Sequence, residues 1–482
     1  MSIRIPAERR RTVGLAIVLV AQLMLVLDAT VVNVALPHIQ EDLDFSAANL
    51  SWVLNAYTLA FGGLLLLGGR LGDVFGRRRV FEIGLALFTA SSLAGAFATD
   101  GTLLIVARAL QGIGAALAAP SVLALLTTSA PDDQARNRAL ALFTAVSSAG
   151  ASLGLIIGGI LTDLGSWRLT LLINVPIGLA ALAFTRRFLD ETPRRTGRFD
   201  VLGSIAVTSA AVGAVYALVT APDHGWTSAT TLGLLGGAAA LLLVFVIVES
   251  RVEHPLLRLA LLKLPSRAGA LGVIALLVGS QFSMFFLAIL YVQRVLDFGP
   301  MQAGFAFLPL SLAIFASSRI SAGLVGRFGP WPLLLVGTAG MVASFLWISE
   351  IDAATSYAAG MLGPMILNGL SAGLAFMPTT VIVLSRVEPE HAGSASGLLQ
   401  TMQQLGGAVG LAIIVSVYTS HGVAGQVIPG LSEGFTTSAI MCGVAVAIAL
   451  VGTIAVSLRR SATVTGDAVA AVEQASEEPA RV

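Results

Sequence analysis

Residues 268–293, AGALGVIALLVGSQFSMFFLAILYVQ, run from Arg267 to Arg294 without a single charged side chain. As an α-helix the stretch rises about 39 Å, and a membrane core needs only about 20 apolar residues. Residues 353–385, between Asp352 and Arg386, are equally free of charge. The pattern holds for the chain as a whole: of 482 residues, 56% are hydrophobic and 11% charged, against roughly 25% charged in an average soluble domain. Lipid, rather than a water-excluding core, hides that much apolar surface. The sequence therefore reads as an all-α integral membrane protein.

Working outward from 268–293 gives fourteen expected spans: 13–35, 50–69, 80–98, 102–128, 139–162, 168–185, 201–220, 230–248, 269–292, 303–325, 332–349, 358–384, 395–418 and 436–457. Basic residues resist translocation and stay in short cytoplasmic loops. With the N-terminus inside, only Arg168 and Arg294 fall in outer loops, Arg108 and Arg319 fall within spans, and every other Lys and Arg is cytoplasmic. The outer loops collect acids instead, among them Glu41, Asp42, Asp44, Asp297, Glu350 and Asp352. Trp52, Trp167, Trp226, Trp331 and Trp347 fall near the expected water interfaces, where amphipathic rings belong. Both termini are thus expected in the cytoplasm, with the first helix a retained signal-anchor in the inner (plasma) membrane. The net charge of +1 hides this segregation and points to no nucleic-acid partner. A lone cysteine, Cys442, excludes an internal disulfide and a cysteine metal cluster.

Two long charged loops, 186–200 and 249–267, divide the chain. The expected organisation is a six-helix bundle (1–198), two linker helices (199–266), a second six-helix bundle (267–460) and an unstructured cytoplasmic tail (461–482). That tail is too small and polar in composition to build a core. The bundles echo each other. GRLGDVFG (69–76) aligns with AGLVGRFG (322–329), and a loop proline precedes a Gly-xxx-Gly helix in both, Pro131 before Gly150/Gly154 and Pro389 before Gly406/Gly410. Parallel repeats of this kind mark transporters whose substrate site lies between the halves near the bilayer midplane.

The loop GGRLGDVFGRRRVF (68–81) places Gly69, Gly72 and Gly76 around a turn, with Arg77, Arg78 and Arg79 at the cytoplasmic edge. Asp73 has the wrong sign for a topogenic loop. It is either a turn former paired with a neighbouring arginine or a latch that meets the positive end of a helix in the other half. The loop resembles the signature loop of the major facilitator superfamily. Four further segments resemble its fourteen-helix drug:proton antiporter family: LDATVVNVALPHI (27–39), RALQGIGAAL (108–117), GASLGLIIGG (150–159) and WRLTLLINVPIG (167–178). The resemblance implies two six-helix bundles plus two central helices, a latch built on Gly69, Asp73, Gly76, Arg77 and Arg78, and efflux of drug-like compounds. It also implies a helix-packing motif at Gly150, Gly154, Gly158 and Gly159. The family's motif has proline after its second glycine, where this chain has Leu155.

Independently of resemblance, Asp28 and Arg108 lie deep within spans, where an ionisable residue is by default functional. Counting at 1.5 Å per residue puts Asp28 about 24 Å and Arg108 about 20 Å from the inner face, within a turn of each other. They are either a static pair pinning two helices or a titrating pair in a watered cavity. All five histidines sit in loops or at span edges, so Asp28 is the candidate proton carrier by elimination. Asn33, Asn55, Tyr57, Gln111, Gln281, Phe282, Phe285, Met402 and Gln403 are candidate cavity residues. Helices, repeat and buried charges describe a secondary transporter with no cofactor or metal, powered by the proton gradient. Its expected partners are a small-molecule substrate, protons and the bilayer, and it is expected to act as a monomer. No nucleotide-binding loop is present, and no His/Asp/Glu cluster of a membrane enzyme. A same-class alternative is an exporter dedicated to one metabolite or self-made antibiotic.

Overall fold

The computed structural model describes residues 7–128, 133–192, 201–252, 262–385, 387, 392–422 and 427–477, and among them no residue is in a β-strand. Helices dominate because a backbone in lipid must satisfy its own hydrogen bonds. The first half holds α1 (Ala7–Asp42), the single turn α2 (Ala47–Leu50), α3 (Trp52–Phe75), α4 (Arg77–Ala96), α5 (Gly101–Thr128) and α6 (Asp133–Asp163). A helix interrupted only at Ile173 follows as α7 (Arg168–Leu172) and α8 (Asn174–Phe188). Next come α9 (Val201–His224) and α10 (Ala229–Arg251), then α11 (Pro265–Arg294), α12 (Pro300–Ala306), α13 (Leu308–Phe328) and α14 (Pro330–Ser349). A π-helical turn, Tyr357–Met361, leads into α15 (Leu362–Leu384), before α16 (Ala392–Ser420) and α17 (Ile428–Glu477). Eleven stretches among the described residues are long and apolar enough to cross a membrane. Shorter apolar stretches occupy α3, α6 and α9.

The helices from α1 to α8 close around Val18, Met24, Phe81, Leu85, Phe88, Ala115 and Val122. Those from α11 to α17 close around residues such as Ile274, Leu287, Leu334, Phe345, Met365 and Phe435. Between these blocks in sequence, α9 packs against both. Its Ala211, Val215 and Val219 meet Leu59 of α3 and Ala408 and Ala412 of α16.

The repeat read in the sequence has a backbone counterpart. Gly76 (φ 102°) and Gly329 (φ 83°) each turn the chain between consecutive helices in a region that favours glycine. Glycines also set the first-to-fifth helix spacing in both blocks. A Cβ on Gly154 or Gly158 would collide with Thr30 or the Val31 carbonyl of α1, and one on Gly410 with Gly279 of α11. Leu155 leaves α6 unbroken through its 31 residues and is itself buried.

The two membrane faces are fixed by contacts. On the N-terminal face Arg10 pairs with Asp190 at 2.6 Å. On the opposite face Asp42 accepts from Trp167 Nε1 (2.9 Å) and from Arg168, whose guanidinium also donates to the Ala98 carbonyl (3.0 Å). The blocks meet on that opposite face, where Gln293 donates to the Val34 carbonyl (3.0 Å) and Arg294 to Gln40 (2.8 Å). A Cβ on Gly304 would stand 2.6 Å from the Leu155 carbonyl oxygen there, and one on Gly159 would collide with the Pro300 carbonyl.

One expectation is corrected. Composition predicts an unstructured tail from Ser461, yet α17 continues to Glu477. Helix nucleation is the costly step. A span already formed propagates into the segment that follows, and past Gly466 and Asp467 the stretch AVAAVEQASE (468–477) is rich in helix-favouring Ala, Glu and Gln.

Gly158→Leu is expected to destabilise the detergent-solubilised protein by about 1–3 kcal/mol, the usual cost of overpacking a close contact. Gly69→Ala, where a Cβ would find Pro120 at an ordinary 3.6 Å, is expected to leave the melting temperature near wild type. A thermal-shift comparison of the two variants measures both.

Candidate functional site

Asp28 of α1 is completely buried, and a bare carboxylate in such a place is prohibitively costly unless it is paired and hydrogen-bonded. The structure meets that demand from two further helices. Arg108 Nη1 of α5 donates to Asp28 Oδ2 at 2.6 Å. Gln111 Nε2, one turn further along α5, donates to Oδ1 at 2.7 Å, and Asn174 Nδ2 of α8 donates to the same oxygen at 2.8 Å. Arg108 is held in turn by Gln111 Oε1 (2.8 Å) through Nη1 and by the Val53 carbonyl (3.0 Å) through Nε. Its guanidinium carbon lies 4.5 Å from the centre of the Tyr57 ring, a cation–π contact. Ser92 of α4 completes the cluster. Its hydroxyl donates to the Leu171 carbonyl (2.8 Å) and accepts from Gln111 Nε2 (3.1 Å) and Asn174 Nδ2 (3.0 Å).

The sequence placed the two charges at one level, and the fold brings them into contact. Gln111, expected in a cavity wall, belongs to this cluster instead, because its position one turn from Arg108 points it at the same carboxylate. Asn174 and Ser92 were missed. Each is an ordinary helix residue by sequence, and only the crossing of α4, α5 and α8 over α1 gives it a partner.

A cavity of about 300 Å³ opens beside the cluster, between the blocks. Arg108, Tyr57 and Phe61 line it from the first block and Phe282 and Gln403 from the second. Of the candidate cavity residues, Tyr57, Phe282 and Gln403 are in its wall. Asn33, Asn55 and Gln281 are buried away from it, each with an amide atom that has no partner. Phe285 stacks on Phe307 (5.7 Å between ring centres), and Met402 packs against the core. Gln22, Gln400 and Gln404, not among those candidates, also line the wall. Gln400, Gln403 and Gln404 have the spacing of one helix face, a signal visible in the sequence. Among the described residues, Arg108 is the one charged side chain lining the cavity, and Asp28 behind it balances that charge.

The loop 68–81 is gripped from within its own block. Glu191 accepts from the backbone amides of Arg78 (3.0 Å) and Arg79 (3.2 Å), and Thr192 Oγ1 from that of Arg77 (3.2 Å). An anion at the amino end of α4 is favourably placed for the helix dipole. The Arg78 guanidinium donates to the Leu189 carbonyl (3.2 Å) and lies near Glu82 and Glu191. Gly76 must be glycine here, since its φ is positive and a Cβ would stand 2.5 Å from the Glu191 carboxyl carbon. Gly69 has room, and the tight approach falls on Gly68, where a Cβ would collide with the Ala116 carbonyl. The Asp73 side chain lies outside the described residues. Gly150, Gly154 and Gly158 pack on α1, and Gly159 on α12.

Two helical blocks closed on one face, with a cavity beside a buried ion pair between them, define a multi-pass membrane transporter. The sequence profile described as Major Facilitator Superfamily matches residues 18–411, and the chain belongs to that superfamily. It is similar to the puromycin resistance protein pur8 of Streptomyces alboniger, 41% identical over 450 residues that cover 92% of this chain and 88% of that protein. Similarity to the cephamycin export protein CmcT of Amycolatopsis lactamdurans is 40% over 421 residues, 86% of each chain. A solved bacterial homologue of the human lysosomal transporter Spinster shares the fold, with a TM-score of 0.67 at 14% identity over 92% of this chain and 96% of that one.

Removing one partner of a buried pair leaves an uncompensated charge, at a cost of about 3–5 kcal/mol. Arg108→Leu is therefore expected to lower the melting temperature sharply, and the double variant Asp28→Asn/Arg108→Leu to recover much of the loss. Thermal unfolding of the three proteins in one detergent gives the comparison.

Proposed function

We propose that the chain is a proton-coupled exporter of small amphipathic compounds, of the kind that confers antibiotic resistance. In this reading it crosses the inner (plasma) membrane fourteen times, as two six-helix bundles with α9 and α10 as the linker pair, and both termini are cytoplasmic. The observation that carries the reading is the buried Asp28–Arg108 pair bordering a cavity between two blocks. Protonation of the carboxylate weakens its hold on the guanidinium, and the guanidinium lines the compartment where substrate sits. The energy is adequate, since one charge crossing 100 mV supplies about 2.3 kcal/mol. If the N-terminus is cytoplasmic, as this reading has it, the contacts that close the blocks on the opposite face put this cavity on the side where export begins. The loop 68–81 acts as the latch, and Asp73 is assigned to its closed form.

Relatives named for a single antibiotic, such as the cephamycin export protein, favour the narrower reading of one dedicated substrate. A resistance profile of cells with and without the gene separates it from broad efflux.

In vesicles with an imposed pH gradient, Asp28→Asn is expected to abolish substrate accumulation against a gradient while binding persists. Uphill export by that variant with normal proton counter-flow would sink the coupling assignment. Cavity charge sets the substrate preference: neutral or singly cationic compounds are expected to be exported well and dications poorly, which competition assays with paired dyes read directly. Reporter fusions after Arg198 and Arg267 are expected to report cytoplasm and one at Gly225 the outside. A cytoplasmic signal at Gly225 would reduce the spans to twelve.

A further inference from the structure

We propose that Asn174 and Ser92 are positioning residues that reserve one oxygen of Asp28, so that a proton enters only at the oxygen held by Arg108. This rests on the proton-coupling reading above and specifies how that site avoids leaking.

The two carboxylate oxygens are not equivalent. Oδ1 accepts from both Gln111 Nε2 (2.7 Å) and Asn174 Nδ2 (2.8 Å). An ionised carboxylate oxygen offers two in-plane lone-pair sites, so Oδ1 is full. Oδ2 faces the Arg108 guanidinium at 2.6 Å. The amide orientations follow from the chemistry of their partners. Gln111 Oε1 accepts from Arg108, which turns its amino group towards the carboxylate. Ser92 gives its own hydrogen to the Leu171 carbonyl, so towards both amides it presents only lone pairs. Each amide therefore spends one N–H on Asp28 Oδ1 and the other on Ser92.

A proton arriving at Oδ1 must evict an amide that is tied at two points. Arriving at Oδ2, it takes the lone pair that Arg108 leaves free and turns the oxygen held by the guanidinium into a hydroxyl, a weaker acceptor. Arg108 keeps all its own protons and its charge, and it retains the Val53 carbonyl and the Tyr57 face beside the cavity. The proton adds to Oδ2, the carboxyl becomes neutral, and the unpaired positive charge turns towards the substrate compartment. Among the described residues, Arg108 and Tyr57 are the charged or titratable groups facing Asp28, and the Tyr57 hydroxyl has no partner of its own. Protonation at Oδ2 thereby loosens the hold on Arg108 itself. Ser92 further binds both sides of the Ile173 interruption, through the Leu171 carbonyl and the Asn174 amide, so the reserved oxygen is held by the α7–α8 helix as well as by α5.

Asn174→Leu keeps the branched heavy-atom pattern, with bulkier methyl groups, and removes the donor, opening Oδ1 to a proton that leaves Arg108 in place. A hydrogen bond to a charged group is worth about tenfold or more in affinity, so proton entry by this second route competes strongly. The expected result in vesicles is substrate-independent proton leak under a pH gradient, read by a lumenal pH dye, and about tenfold less substrate exported per proton than wild type. Ser92→Ala, a smaller change that frees both amides, is expected to leak in the same direction and carries the test if Asn174→Leu fails to fold. A wild-type substrate-to-proton ratio and a tight membrane in a folded Asn174→Leu or Ser92→Ala protein overturn the proposal. Asp28→Asn run alongside separates the two ideas. If it still pumps uphill, the coupling reading fails. If it is dead while the other variants stay tightly coupled, only the reservation of Oδ1 fails.

Discussion

A carboxylate in the middle of a membrane bundle has to be neutralised, and Asp28 is neutralised by a guanidinium from another helix. Much of the first block is arranged around that requirement. Arg108 must reach α1 from α5, which fixes the level of the two helices. Gln111 follows one turn later on the same face. Asn174 needs α8 to pass within hydrogen-bond reach, and Ser92 brings in α4. Four helices thus meet at a buried polar point where the carboxylate, both amides and the serine hydroxyl are all hydrogen-bonded, and a satisfied polar network specifies one arrangement more sharply than apolar packing does. Its weakness is the same property, because protonation of one oxygen removes the reason for the arrangement.

Close helix contact lets such a point form without opening the bundle. Glycines at 154 and 158 bring α6 against α1 and keep Asp28 out of water from behind, while Gly159 and Gly304 bring the two blocks together on the face opposite the N-terminus. Small residues in lipid serve packing because no hydrophobic force draws helix to helix. Contacts of this type form and separate as rigid surfaces. That suits blocks that rock about a central cavity. Leu155, where the family's motif has proline, keeps α6 continuous, and the glycines around it still supply the close approach.

Much of this was legible in the sequence, and the part that was not has a physical reason. Charge-free runs gave the membrane class, and the aligned glycines 76 and 329 gave the repeat, because a left-handed turn admits few other residues. Asp28 and Arg108 stood out because their cost in lipid is large whatever surrounds them. Asn174 and Ser92 were invisible because an amide or hydroxyl in a helix has many uses, and partner identity is a property of helix crossings. Gln111 was misplaced for the same reason. Helix propagation past Arg460 was missed because composition describes what a segment can nucleate alone, and α17 arrives there already formed.

The two blocks are related but not equivalent, and the difference locates the chemistry. LQGIGAAL (110–117) in α5 has a counterpart in LNGLSAGL (367–374) in α15. The close approaches also correspond, with Gly112 set against the Tyr57 carbonyl and Gly369 against the Leu310 carbonyl. At the matching positions Gln111 becomes Asn368, and Arg108, two residues before the shared leucine, becomes Met365. Without the guanidinium there is nothing to organise the amide. Asn368 is wholly buried, and neither its amide nitrogen nor its amide oxygen has a partner. One copy of the repeat therefore carries the charge and its complete hydrogen-bond shell, while the other contributes Phe282 and the glutamines of α16 to the cavity wall. A duplicated scaffold with the ion pair on one side only gives a titration in one block a direction in which to act, since the matching helix α15 has Met365 where α5 has Arg108 and no charge at that position to answer it.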